Sequence, residues 1–504
     1  MPMSYEGMIA EIQRLTEMIG TLVSTVEALQ QKIDEQNKRM EEKDQLLSQK
    51  EAEIAELKRR LGMNSGNSSK PPSSDGYGKK PAPKSLRGKS DKKSGGQKGH
   101  EGKNLAQATP NHVIGCMPSQ CAGCPRRGEC QEEAEVLERR QVFDAVVKIE
   151  ITEYDKLRVK SCPLHGWTQE NGSFPDDIKA AVQYGTNFVA LVVALNTVGA
   201  VSISRTREII ANLFNVPLSE GTITAMVSRC SGNITDVLPR IGKFVVDGDV
   251  ANADETGLRV EGKLHWAHVL CNGFYTLITL SKMRGWKGMQ EIGWLPQFHG
   301  VLEHDCWAPY WNAPDITHAV CCAHLLRELT AIEENHPEYT WPKAFKKLLL
   351  EMKRVRDRAV EQGKQELSYY YLHKFDLMFD RLIDLAYKET PEPPLKPGNK
   401  QRGRRPRGKA LALVDRLKKL KGAVCLFIRN FQVPFDNNQA ERDLRMVKAK
   451  VKVSGCFRTE KGAQEYLNIM SFVSTAKKLG SNAYEAIWHA VTGTPDYIFA
   501  GAAE

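Results

Sequence analysis

Apolar residues open the chain at a strict seven-residue spacing. Ile12, Ile19, Val26, Ile33, Met40, Leu47, Ile54 and Leu61 form one row, and Met8, Leu15, Leu22, Leu29 and Leu57 form the interleaved row. Two such rows make the seam of a coiled coil, and β-branched residues in the first with Leu in the second favour two parallel strands. The pattern predicts a coiled coil over residues 1–63 that holds a homodimer. Gln36, Lys43 and Lys50 interrupt the second row and loosen its middle. A single amphipathic helix lying on its own protein is the competing reading. The rows end at the stretch from Asn64 to Asp75, rich in Ser, Asn and Pro, which sustains no apolar pattern. Residues 64–110 therefore read as a flexible linker.

Further along, the period changes repeatedly. Residues 111–170 contain two β-type runs, Gln141–Ile149 and Ile151–Tyr154. Residues 178–243 turn helical, with Val182, Phe188, Leu191, Val192 and Leu195 at helical spacing. Arg205 to Arg229 reads as helix, turn, helix, broken at Asn215 and Pro217, with Ser219 placed to cap the second helix. A helix for the DNA major groove and an ordinary helical hairpin explain this segment about equally well. From residue 244 a strand-like run, Val245 to Asp254, ends in a carboxylate. Two alternating runs, Leu264–Leu270 and Phe274–Leu280, flank a hairpin signal at Cys271-Asn-Gly273. A helical segment (Lys287 to Leu295) and another strand, Gly300 to Asp305, follow. Strand, hairpin, helix, strand, with Asp at both strand ends, is the order of a ribonuclease-H-like core. Phe345, Leu348, Leu349 and Met352, then Leu377, Leu382, Ile383 and Leu385, show helical spacing, and a final helix begins near Phe435. The expected fold is thus multidomain α/β, a ribonuclease-H-like core with a helical insertion. A coiled coil, a zinc-binding module and a helix-turn-helix-like domain precede it.

Composition adds a partner. The chain of 504 residues carries 71 Lys and Arg against 61 Asp and Glu, a formal charge of +10, which points to a polyanion such as nucleic acid. Lys79 to Lys103, including Lys92 and Lys93, is a basic arm. Lys396 to Lys409, including Arg404, Arg405 and Arg407, is a basic loop without an acid. Each is a solvated linker or a phosphate grip. No signal peptide or membrane span is expected, and twelve cysteines in so long a chain suit a reducing cytoplasm. Cys121-Ala-Gly-Cys124 and Cys162-Pro-Leu-His165 supply two ligand pairs for a structural Zn²⁺, with Cys116 and Cys130 as substitutes for one of the four.

Asp254, Asp305 and Glu441 are the candidate catalytic residues. Three carboxylates suit two Mg²⁺ (or Mn²⁺) ions, which prefer oxygen ligands and leave positions open for phosphate and water. Glu441 and Lys448 lie seven residues apart, about two helical turns, so Lys448, with Arg442 and Arg445, can meet DNA phosphates beside that glutamate.

These residues also carry a resemblance. The Asn-Ser-Ser-Lys-Pro-Pro-Ser-Ser-Asp75 run, Gly-Gly-Gln-Lys-Gly-His100, Ala253-Asp-Glu-Thr256, Cys321-Cys-Ala-His324 and Asp436-Asn-Asn-Gln-Ala-Glu-Arg442 resemble the insertion-sequence-sixty-six transposases over essentially the whole chain. The resemblance implies a DDE triad of Asp254, Asp305 and Glu441. It also implies a catalytic core split into 244–324 and 425–475 by a helical insertion at 325–424, and a C-terminal domain at 476–504. The implied activity is binding of an element's terminal inverted repeats, phosphodiester hydrolysis to a 3′-OH, and attack of that hydroxyl on target DNA. Implied too are accessory transposition proteins and a place on a bacterial nucleoid. His324 is a positioning residue or a satisfied structural histidine. Asp305 sits in Asp-Cys-Trp-Ala-Pro-Tyr310, a departure from the usual Asp-Gly-Tyr setting. A catalytically inactive DNA-binding regulator and a nuclease for RNA–DNA hybrids are the rival functions.

Overall fold

The computed structural model describes residues 5–61, 107–126, 128–131, 135–143, 148–162, 164, 167–392 and 407–500. The first helix, α1 (Tyr5–Leu61), runs 57 residues without a break, about 85 Å at 1.5 Å per residue. Its heptad seam is bare: Ile12, Ile19, Val26 and Met40 are each at least 60 % exposed. Among the described residues nothing covers that face.

A single turn, α2 (Ser119–Ala122), carries Cys121, and β1 (Arg158–Cys162) pairs antiparallel with β2 (Trp167–Asn171). The runs expected as strands at 141–154 form none in their described part. Val142 and Ile151 are each 92 % exposed, and a strand with no partner surface has nothing to stabilise it. Helix α3 (Thr186–Asn196) starts later than its pattern suggests and leaves Val182 in solvent. The expected helical pair follows as α4 (Ile203–Phe214) and α5 (Glu220–Asn233). Ser202 and Ser219 cap them by accepting the N–H of Arg205 and Thr222, and Asn215 ends α4 in the left-handed region at φ 53°.

Val245, expected to open a strand, instead belongs to α6 (Val237–Val246). The strand begins later as β3 (Val250–Val260) and runs past Asp254, which is therefore interior to it. Alternate burial continues to Leu258 and Val260, so the strand has a core to cover beyond the carboxylate. A two-residue turn, Glu261-Gly262, with φ of 53° and 76°, leads to β4 (Lys263–Cys271). Positive φ at both positions matches the twist of an antiparallel hairpin. The hairpin expected at Asn272-Gly273 forms: the Asn272 side-chain oxygen accepts the N–H of Phe274 and Tyr275, and β5 (Thr276–Ser281) returns along β4. Then come α7 (Trp286–Ile292), β6 (Val301–His304) and β7 (Thr317–Val320). The helical stretch expected after residue 325 is α8 (Cys322–Asn335), α9 (Trp341–Glu361), α10 (Tyr369–Glu389), α11 (Gly408–Lys419) and α12 (Lys421–Val424). Last come α13 (Asn438–Ser454), α14 (Glu460–Lys478) and α15 (Ala483–Thr492).

The chain divides into two compact units. One comprises Met1–Pro83, Pro239–Leu258 and Lys263–Arg445 and holds a five-stranded mixed sheet in the order β5-β4-β3-β6-β7. Strands β6 and β7 run parallel to β3, and two successive hairpins set β5 parallel to it as well. The pleat sorts residues by face. Ala251, Ala253 and Leu302 enter one core with Met289, Phe298 and Tyr310. Val250 and Val301 turn the other way, towards a larger core built from α8 to α11 with Trp341, Phe345 and Phe379 at its heart. The other unit, Lys84–Leu238, Arg259–Gly262 and Met446–Glu504, packs α3, α5, α14 and α15 together. Within it the buried Lys450 ammonium donates to the carbonyls of Asn196 and Val201.

Candidate active site

Asp254 and Asp305 owe their positions to strand register. Val250, Ala251 and Asn252 stand opposite Val301, Leu302 and Glu303 on the parallel pair β3 and β6. Carrying that register two residues further sets Asp254 beside Asp305. Both project away from the face that Ala251 and Ala253 cover, because alternate residues alternate sides. The chain turns sharply after Asp305: Cys306 adopts φ 69°, unusual for a residue with a Cβ. Its turn feeds the Trp307 N–H to the Asp305 Oδ1 at 3.0 Å. Asp254 Oδ1 accepts the N–H of Glu255 at 2.9 Å.

Glu441 reaches the same end of the sheet through Asn437, a residue that sequence reasoning passed over. Asn437 is buried at the start of α13. Its Nδ2 donates to the Ala253 carbonyl (2.7 Å), its Oδ1 accepts from Asn252 Nδ2 (2.8 Å), and its backbone N–H points to the Cys321 sulfur (3.1 Å). These bonds pin the helix beside the residue preceding Asp254 and to the start of α8. Glu441 lies one helical turn on, its N–H directed to the Asn437 carbonyl. Its Oε1 is 3.8 Å from His324 Nε2 and 3.9 Å from Arg327 Nη1. Burial, then the Arg327 charge, lowers the His324 pKa, while Glu441 and Asp305 both favour its protonated form. Asp305 and Glu441 are thus both within electrostatic reach of one imidazole. In the Cys321-x-x-His324 pair, the cysteine holds α13 and the histidine faces the glutamate.

A second carboxylate flanks the aspartates on the other side of β3. Glu255 is buried, and its Oε1 accepts from Arg284 Nε (3.0 Å) and Nη2 (2.8 Å) while its Oε2 accepts the Tyr310 hydroxyl (2.6 Å). Burial raises its pKa, and the tyrosine and arginine bonds oppose that rise. The Arg284 guanidinium lies over the rings of both Trp266 and Trp307, 4.8 and 4.1 Å from their centroids. Neither Arg284 nor Tyr310 stands near Glu255 in sequence, so spacing gave no signal for them.

Another acid near the site, Glu303, is also buried. Glu303, opposite Asn252, has both carboxylate oxygens out of solvent and without a hydrogen-bond partner among the described residues. Burial, then the Asp436 charge, raises its pKa.

The remaining expected residues are scattered. Arg442 and Arg445 are exposed on α13, and Lys448 is half-buried further along the same helix. Arg407 is ion-paired with Asp415 at 3.0 Å. Cys121 and Cys124 are exposed free thiols, as are Cys116 and Cys130, and Cys162 ends β1. His165, Lys92, Lys93, Arg404 and Arg405 lie outside the described residues. Among the described residues no three His, Cys, Asp or Glu side chains form a ready metal cage, and no helix is long and apolar enough to cross a membrane.

Asp254 and Asp305 thus lie at neighbouring strands of one sheet, and Asn437 ties the helix bearing Glu441 to that sheet. The family model described as "Transposase IS66 family" matches residues 181–465. That is more than half of the chain, which therefore belongs to the IS66 transposase family. A second model, described as "Family of unknown function (DUF6444)", matches residues 43–106. No curated protein matches.

Proposed function

We propose that the chain cuts and joins DNA strands with Asp254, Asp305 and Glu441 as its catalytic carboxylates. The observation that carries this reading is the Asn437 staple. It fixes the helix bearing Glu441 to the strand bearing Asp254, while the β3–β6 register sets Asp305 alongside. The strand order, two hairpins followed by two parallel strands, supports a ribonuclease-H-like core. The donor set is all carboxylate oxygen, which fits hard divalent cations such as Mg²⁺ or Mn²⁺. When bound, a pair of such ions supplies charge for the attacking and departing oxygens of a phosphodiester.

The chain's own residues then divide the work. Asp254 and Asp305 are anchored on rigid strands, each with one oxygen held by a backbone N–H. Glu441 is the adjustable member: His324 and Arg327 draw it to one side, and rotation about its side-chain bonds completes the set. His324 is a positioning residue. Arg442, Arg445 and Lys448 follow Glu441 along one helix, where they can meet the phosphates of a terminal inverted repeat or of target DNA. The bare seam of α1 supports a parallel homodimer. Cys121, Cys124, Cys162 and His165 remain the ligands proposed for structural zinc. Lys92, Lys93, Arg404, Arg405 and Arg407 remain proposed DNA contacts, Arg407 with the donors that its pairing to Asp415 leaves over.

The test uses the full chain, labelled element-end DNA and Mg²⁺. Asp254→Asn, Asp305→Asn and Glu441→Gln are each expected to lower cleavage by at least about 1000-fold while leaving end binding near wild type. Cleavage retained by any one of them removes that residue from the triad. Cleavage absent from the wild type as well favours a DNA-binding regulator.

A further inference from the structure

Arg284 is more than a counter-ion for Glu255. Three strands of the sheet, β3, β5 and β6, run in one direction, so their C-terminal ends share an edge. Asp305 follows β6 at that edge and Arg284 follows β5. Trp307 links them: its backbone N–H binds the Asp305 carboxylate and its ring lies under the Arg284 guanidinium. A guanidinium has five N–H donors. Glu255 takes one from Nε and one from Nη2, which leaves three. The Arg284 side chain is 44 % exposed, against 2 % for Glu255, so the arginine is open to solvent where its partner is not.

We propose that Arg284, gripped between Trp266 and Trp307 and anchored on Glu255, is a DNA-backbone contact that binds a phosphate neighbouring the one held at Asp254 and Asp305. This rests on the reading that the chain cuts DNA at this end of the sheet. The two indoles and the carboxylate fix a side chain that would otherwise lose rotamer freedom on binding, so the fork is pre-organised for a tetrahedral oxyanion. A purely structural partner for a buried glutamate has no need of an exposed edge.

The experiment measures binding of the full chain to duplex DNA carrying the element's terminal repeat, in Ca²⁺, across a salt series. Arg284→Met is expected to weaken binding about tenfold and to lower the slope of log affinity against log salt by about one. Because that variant strands the Glu255 carboxylate, a double variant, Glu255→Gln with Arg284→Met, is measured beside it. Its melting temperature is expected to recover towards wild type while the salt slope stays reduced. Wild-type affinity and slope in the double variant would overturn the proposal and leave Arg284 a counter-ion. Failure of the triad reading appears separately, as cleavage retained by Asp254→Asn with the salt slope untouched.

Discussion

The two faces of the sheet at its acidic end handle buried charge in opposite ways. On one, Glu255 is held by an arginine fork and a tyrosine hydroxyl, and two indoles pack on that arginine. On the other, Glu303 sits two residues before Asp305 with neither oxygen partnered among the described residues. Full pairing makes a rigid anchor, and an orphan carboxyl costs stability. A protein keeps such a group only where something other than stability holds it, and here the orphan lies on the face that carries Asp254, Asp305 and Asn437. On the proposed reading, the Glu255 side holds Arg284 rigid for DNA and the Glu303 side carries the cutting acids.

Three measurements probe that contrast. The largest effect belongs to Glu255→Ala, which leaves the Arg284 charge and the buried Tyr310 hydroxyl without their shared partner. A loss of about 3–5 kcal/mol is expected by chemical denaturation, and a loss below about 1 kcal/mol would show that the cluster anchors nothing.

Lys450 extends the comparison to a buried amine held by two carbonyls and the Tyr466 ring, with no carboxylate among those contacts. Burial lowers its pKa from 10.5 to about 8. Between those values the unfolded chain holds a proton that the folded chain has released, so this group's contribution to stability rises with pH across that window and is flat below it. The gain amounts to about 3 kcal/mol. Melting curves of wild type and Lys450→Met at pH 7 and pH 10 check it: the wild type should gain on the variant at the higher pH, and parallel behaviour would refute the burial argument.

The smallest change is expected of Glu303→Met. Replacing an unpartnered carboxyl by an apolar side chain of similar size should stabilise the fold by about 1 kcal/mol, while DNA cleavage falls. A variant that gains stability and keeps full activity would return Glu303 to the status of a packing defect.

Sequence periodicity located most of the elements that place the site. The heptads of α1, the Ser219 cap, the Asn272-Gly273 turn and the helix bearing Glu441 were all legible, because each is encoded within one or two turns of chain. Two local readings failed where tertiary packing decided. The apolar run at Val245 closes a helix, and β3 passes Asp254 because Leu258 and Val260 find a core to cover. The alternating run around Val142 finds none. In the candidate site, the acids could be named from strand ends and a motif, but their supports could not. Asn437 meets Ala253 from 184 residues away, and Arg284 meets Glu255 from 29. Such pairings are products of topology and leave no spacing to read.

The bond from the Asn437 amide to the Cys321 sulfur spans 116 residues. The chain therefore departs for its long helical excursion and comes home at nearly the same point. The first turns of that excursion carry His324 and Arg327, which face Glu441, and the helices beyond them form a detour whose two ends are clamped together. A helix added or removed at the far end of that detour leaves the hearth where the chain departs and returns tied by the same bond.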